Sequence, residues 1–206
     1  MDRGGRHRDS RPRHPERRQV HEAEGSLLNA PIPQFADVKS QRPRARKPIE
    51  TGAVTPGYAA NLATVLALLN DALATEIVCV LRYRRHHFMA RHAKSTPDQF
   101  LIHANEEMEH ADLLAERIVQ LGGEPDFAPD TLAKRSHAQY VAGSSLPDMI
   151  REDLVAERTA IDGYRDFITY LADKDPTTSD LLKGILAVEE EHATELADLL
   201  PGAEPK

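Results

Sequence analysis

Two short stretches of this chain carry the residue types of a metal site. Glu107-Met108-Glu109-His110 and Glu189-Glu190-Glu191-His192 both read Glu-x-x-His. On a helix, residues three apart share a face about one turn apart, so a carboxylate and an imidazole at this spacing can reach one ion. With 10 His and 17 Glu in 206 residues, chance alone supplies about one such pair. Placement is what gives the pairs weight. Each is preceded by a segment with one further acid in register, Glu76 lying 31 residues before Glu107 and Glu157 lying 32 before Glu189. Tyr83 follows Glu76 by seven residues and Tyr164 follows Glu157 by seven, a weak internal repeat. Oxygen and imidazole donors without thiolate suit iron or manganese.

Four helices must position these groups. Leu62, Leu66, Leu69 and Leu73 fall at 4,3,4 spacing, and the same seam continues through Glu76, Val80 and Tyr83. This predicts a helix from about residue 57 that stops before Ser95-Thr96-Pro97. A second helix, from about Asp98 to Leu121, carries Phe100, His103, Glu107, His110, Leu114 and Leu121, and ends at Gly122-Gly123. A connector from Glu124 to Pro147 is too long for a hairpin turn and reads as a crossover with a short helix around Thr131–Val141. The third helix starts near Pro147 with Ser145 as cap, on the seam Ile150, Leu154, Glu157, Ile161, Tyr164, Ile168 and Leu171. After a loop Asp175–Thr178, a fourth runs from about Ser179 to Leu200 on Leu182, Ile185, Glu189, His192, Leu196 and Leu199. The expectation is an all-α fold, an antiparallel four-helix bundle with a long crossover between helices 2 and 3.

In that bundle six ionisable groups occupy core positions. Ionised carboxylates are not buried there unless paired or bound to metal. Four carboxylates are balanced in charge by two divalent cations. The natural assignment leans Glu76 and His110 to one metal and Glu157 and His192 to the other, with Glu107 and Glu189 bridging. The bland alternative is a polar core layer satisfied by its own hydrogen bonds.

Composition narrows the rest. The single Cys excludes an intrachain disulfide framework and any Cys-based zinc or iron–sulfur cluster within one chain. No apolar run approaches the roughly 18 residues of a membrane span, and the N-terminus lacks a secretory apolar core, so a cytoplasmic protein with no membrane partner is expected. The net charge of −7 hides an asymmetry: residues 1–50 hold 12 basic and 7 acidic residues, whereas 51–206 hold 14 and 26. Residues 1–56 read as a disordered basic tail, 57–200 as the folded bundle and 201–206 as a short C-terminal tail. The N-terminal charge suits a DNA- or polyanion-binding arm, diluted by its acids, or simply a solvated leader. An organellar presequence would hold fewer acids.

Residues 57–200 resemble the ferritin-like family, in particular bacterioferritin and the bacterioferritin-like, Dps-like mini-ferritins. The stretches NEEMEHADLLAERI and ILAVEEEHATELADLL are similar to that family's second and fourth helices. The resemblance implies a ferroxidase with two iron ions per subunit, held by Glu76, Glu107, His110, Glu157, Glu189 and His192. There Fe(II) is oxidised by O₂ or H₂O₂, and Fe(III) is stored as mineral inside a homo-oligomeric shell, serving iron homeostasis and oxidative-stress protection. Tyr83 matches a tyrosine that follows the first ligand in bacterioferritin. Met108 stands where bacterioferritin places a haem b ligand at its two-fold interface, or is a gap-filling interface Met. Bacterioferritin and classical ferritins add a fifth helix after the fourth, whereas only Pro201–Lys206 follow here. That departure favours a shell of 12 subunits over 24. Rival readings are a di-manganese catalase or di-iron oxidase without storage, and a DNA-coating nucleoid protein. One Cys disfavours the usual rubrerythrin, whose rubredoxin centre needs more.

Other residues carry weaker expectations. Glu106, Glu109, Glu190 and Glu191 read as solvated or as an ion access path. Glu106 is also spaced to pair with His110 at i,i+4, with Val188 at the equivalent position before His192. His103 reads as a hydrogen-bonded core His or as a group supporting the ligands from outside. His86, His87 and His92 with Arg82, Arg84, Arg85 and Arg91 read as an exposed basic face, and Cys79 as a buried small residue. Tyr83 and Tyr164 would orient a carboxylate, donate an electron or simply pack.

Overall fold

A computed structural model describes Met1, residues 38–90 and residues 96–200. The described residues contain six α-helices and no strand. They are α1 (Val38–Arg44), α2 (Leu62–Met89), α3 (Thr96–Gln120), α4 (Pro129–Arg135), α5 (Leu146–Leu171) and α6 (Pro176–Asp198). A 3₁₀ turn spans Ile49–Thr51. Of the expected tail, residues 2–37 lie outside the described residues, as do Arg91, His92 and the C-terminal 201–206.

Four long helices form the bundle. α2 packs along α3 and α5 packs along α6. α2 also meets α5 and α4, and α3 meets α6. The crossover from α3 to α5 carries α4, which runs Pro129–Arg135, shorter than the expected Thr131–Val141. Ser136 leaves α4 in extended backbone at φ −61° and ψ 133°, which ends the helix there.

Three of the long helices have a capped start. The Asn61 side chain accepts from the Thr64 N–H, Ser145 from Asp148 and Asp175 from Thr178. Such caps contribute about 1 kcal/mol each. α6 therefore begins at Pro176, three residues before the expected start. Pro176 suits the first turn, where no intrahelical N–H partner is lost. Beyond the end of α3, Gly122 at a φ of +80° lets the Gly123 N–H reach the Ile118 carbonyl at 2.9 Å.

One expectation needs correction. By length and composition α2 would pass for a membrane span, yet 56% of its most apolar window is buried. Leu69, Leu73, Ala74 and Val80 are the inner face of a bundle helix. The main apolar cluster lies at one end of the bundle around Leu69, Leu73, Leu114, Ile118, Phe167 and Leu182. A second cluster at the other end gathers Tyr83, Phe100, Ile150 and Leu196. The ionisable layer lies between them in the chain order of every helix.

Candidate metal centre

All six groups on the seams are buried, none more than 5% exposed. They form two overlapping sets of four. Ligand-type atoms of Glu76, Glu107, His110 and Glu189 lie within 4.8 Å of one another, as do those of Glu107, Glu157, Glu189 and His192. Glu107 and Glu189 belong to both sets, because each sits mid-helix on a pair (α3 and α6) that faces the other across the core. Glu76 from α2 and Glu157 from α5 close the two ends.

Each outer carboxylate is held by a tyrosine from the opposite half of the chain. The Tyr83 hydroxyl on α2 donates to Glu157 Oε1 on α5, and the Tyr164 hydroxyl on α5 donates to Glu76 Oε1 on α2. The seven-residue repeat is thus a reciprocal clasp between helices. Both phenols are buried, and burial first, then the neighbouring carboxylates, push them well above the ordinary tyrosine range.

The electrostatics show what the layer lacks. Burial, then the charges of Glu157 and Glu76, raises Glu107 well above the carboxylate range. Burial, then Glu107 and Glu76, does the same to Glu189. Burial alone would raise Glu76, but hydrogen bonds with His110 and Glu107 outweigh it and lower that group. His110 is opposed by burial yet pushed up to about 10 by Glu189 and Glu76, its Nδ1 lying 3.0 Å from Glu189 Oε1 and 3.1 Å from Glu107 Oε2. Burial lowers His192. Glu107 Oε1, Glu157 Oε2, Glu189 Oε2 and His192 Nδ1 are buried without a hydrogen bond, and Glu189 Oε1 has only the ion-pair contact of His110 Nδ1 at 3.0 Å. Each such atom costs on the order of 1–3 kcal/mol, so a polar layer satisfied by itself is not what these residues make. Within this layer the orphaned atoms are metal-type donors (the other orphan among the described residues, Arg82 Nη2, lies outside it), and together with His110 they suit two oxygen- and nitrogen-ligated cations.

A hydrogen-bonded rim surrounds His192. Its Nε2 lies 2.8 Å from Glu106 Oε2. Glu106, on the expected solvated set, therefore partners His192 on another helix rather than His110 on its own. The buried His103 ring stacks on His192 at 4.0 Å and 20°. His103 Nδ1 lies 3.3 Å from the Tyr83 hydroxyl, and its Nε2 lies 2.8 Å from Glu195 Oε2. An unbroken chain thus runs from Glu157 through Tyr83 and His103 to the half-exposed Glu195. Glu109, Glu190 and Glu191 are exposed, and Arg165 binds Glu190 at 2.6 Å. Met108 stands at the surface of α3, 36% exposed. Cys79 is buried, and burial pushes its thiol well up.

The expected basic face is not one. Arg82 and His86 are buried, at 1% and 0% exposure. Both grip a buried acid that the seam reading passed over: Asp153 receives Arg82 Nε at 2.8 Å on Oδ1, and its Oδ2 lies 2.7 Å from His86 Nδ1. Arg82 Nη1 also donates to the Gln139 carbonyl, and His86 Nε2 lies 3.1 Å from the Ala142 carbonyl. Arg84 is exposed, binding Asn105, and Arg85 reaches the Ala142 carbonyl. A second network, also missed, joins Arg117 on α3 to Asp175 at 2.9 Å and to Thr178 at 2.8 Å, with the Tyr58 hydroxyl on Asp175 at 2.8 Å. The available signal was position: Asp153 stands one turn before Glu157, at the edge of its seam.

Comparison with known proteins agrees with this geometry. The family profile described as "Ferritin-like domain" matches residues 66–203. A bacterioferritin from Desulfovibrio desulfuricans is 29% identical over 136 residues, covering 64% of this chain and 72% of that protein. A "DNA protection during starvation protein" from Pyrococcus furiosus is 30% identical over 145 residues, covering 67% and 77%. Among solved structures, the bacterioferritin-related protein of Bacteroides fragilis, described as a dodecameric thioferritin, superposes with a TM-score of 0.65 at 30% identity, covering 68% of this chain and 86% of that one. The Desulfovibrio desulfuricans bacterioferritin, described with a diiron site, gives a TM-score of 0.60 at 27% identity over 67% and 78%.

Proposed function

Since the chain belongs to the ferritin-like family, we propose that it oxidises Fe(II) with O₂ or H₂O₂ at the six-residue centre and stores the product as mineral in a homo-oligomeric shell. The observation that carries this reading is the set of orphaned donor atoms inside the bundle, arranged as two groups of four that share Glu107 and Glu189. Glu76 and His110 would hold one iron and Glu157 and His192 the other, with Glu107 and Glu189 available to both. Two Fe(II) held there would each give up one electron, which with two protons reduces O₂ to H₂O₂ or H₂O₂ to two waters.

The chain's own residues prepare the site. Tyr83 and Tyr164 fix the outer carboxylates before any ion arrives, so little ordering remains to be done on binding. Burial favours the protonated forms of Glu107 and Glu189, and the neighbouring carboxylates that of His110, so entering cations compete with protons and uptake is proton-coupled. The apolar clusters on both sides keep bulk water from the layer. A cytoplasmic location and a shell of twelve complete the reading. The dodecameric relative supports the subunit number.

The test is aerobic addition of Fe(II) to the purified protein. Consumption of iron far beyond two per chain, with a soluble mineral retained, is the expected result. Peroxide turnover with no retained iron would replace it with a catalase or oxidase reading. Glu107→Ala and Glu189→Ala should abolish fast oxidation while the bundle stays folded by circular dichroism. Full activity in both would refute the bridging roles.

A further inference from the structure

The two halves of the centre are related by the chain's internal repeat, but their surroundings are not. His192 has an outer partner: Glu106 Oε2 lies 2.8 Å from its Nε2. Its Nδ1 carries no hydrogen bond and lies 3.5, 3.9 and 3.8 Å from oxygens of Glu107, Glu157 and Glu189. His110 is arranged differently. Its Nδ1 contacts Glu189, Glu107 and Glu76 at 3.0, 3.1 and 3.7 Å, and among the described residues no side chain or carbonyl takes its Nε2. The repeat explains the difference. The counterparts of Gln99, His103 and Glu106 on α3 are Leu181, Ile185 and Val188 on α6, and none of these can accept a hydrogen bond from an imidazole.

A neutral imidazole has one N–H, and the acceptor it meets decides which nitrogen bears it. A carboxylate on Nε2 puts the hydrogen there and leaves the Nδ1 lone pair pointing inward. Outer acceptors of this kind fix ring orientation and raise ligand basicity. Resting on the reading of the centre given above, we infer that Glu106 is a positioning residue for His192, and that the metal position built on Glu157 and His192 is therefore the tighter and first filled of the two. The stacked His103 ring, itself tied to Tyr83 and Glu195, restrains His192 against rotation. The His110 position, with Val188 where an acceptor would stand, is the exchangeable one.

The experiment is a titration of the full chain with Co(II) alone, followed by visible ligand-field absorption and by calorimetry. Wild type should take up two ions per chain in two resolved steps. His192→Ala should remove the tighter step and His110→Ala the weaker. The Glu106 side chain is 40% exposed, so Glu106→Ala leaves the core intact; it should weaken the tighter step by about 10- to 100-fold and spare the other. Glu106→Gln, whose amide oxygen still accepts from Nε2–H, should recover most of that loss. Val188→Glu should tighten the weaker step. An unchanged tighter step in Glu106→Ala, or a loss confined to the weaker step, would overturn the inference while leaving the centre standing. Uptake of fewer than two Co(II) by wild type would overturn the centre itself.

Discussion

Stripped of metal, the protein should lose stability as the pH rises from 6.5 toward about 9, and added metal should reverse that trend. Burial and mutual repulsion hold Glu107 and Glu189 well above their ordinary 4.5, and His110 is raised from 6.5 to about 10. A group whose folded pKa is raised contributes stability that is complete below its unfolded value and is lost as pH climbs through the folded one. His110 therefore acts across this window, and Glu107 and Glu189 act in the same direction above their ordinary value. The opposing groups lie outside it. His192 is lowered from 6.5, so its effect is complete by that pH, and Glu76, lowered from 4.5, matters only in acid. Each proton kept by the folded chain and released on unfolding is worth about 1.4 kcal/mol per pH unit. A single such proton removes about 2.8 kcal/mol over two units, a large share of the roughly 5–15 kcal/mol that stabilises an ordinary domain. Metal binding demands deprotonated ligands, so its stabilisation grows with pH. The assay is denaturant unfolding of chelator-treated protein at successive pH values, with and without Mn(II). Glu107→Gln keeps the shape without the titrating proton and should flatten the metal-free slope. Metal-free stability that is level or rising across the window would refute the reasoning.

Three further outcomes follow from the geometry. Tyr83→Phe and Tyr164→Phe each remove the donor that fixes an outer carboxylate and should lower Co(II) affinity by about tenfold or more at the corresponding position, read by the same titration. Asp153→Ala strands the buried Arg82 guanidinium and should cost about 3–5 kcal/mol in denaturant unfolding, with Asp153→Asn losing less. Ala172 closes α5 at φ 47° and ψ −118°, where a Cβ is strained. Ala172→Gly should raise the thermal midpoint, gaining up to about 1 kcal/mol, and a lower midpoint would show that the strain lies elsewhere.

The helices and the ionisable layer were legible because helical periodicity is a local property. Glu76, Glu107, His110, Glu157, Glu189 and His192 break an apolar seam at a place where the seam leaves no other reading than burial, and burial of acids has few solutions. Helix starts were off by a few residues where a cap did its work through one side chain, as Asp175 does for α6. What stayed hidden was pairing between helices. Arg82, His86 and their neighbours have the composition of a solvated face, and the acid that turns two of them inward lies 67 to 71 positions further along the chain. Glu106 was likewise spaced for a partner on its own helix, yet it found one on α6. Spacing along one helix constrains which residues share a face. It cannot say which face meets which.

Those hidden pairs have a function that the seams cannot perform. An apolar stripe repeating at 4,3 spacing packs almost as well after sliding one repeat along its neighbour, and a slide of that size would separate Glu76 from Glu157 by about 10 Å, two helical turns. Charged pairs do not tolerate such a slide, because it would leave each partner buried alone. Arg82 and His86 clamp α2 to α5 through Asp153 near one end of the bundle. Arg117 clamps α3 to the first turn of α6 through Asp175 and Thr178 near the other. The first pair of helices carries the outer carboxylates and the second carries both Glu-x-x-His pairs, so each clamp sets the level of one half of the centre. The polar networks that look costly for stability are therefore what bring six ionisable groups from four helices to one layer. Weakening either clamp should loosen metal binding at a distance, before it unfolds the bundle.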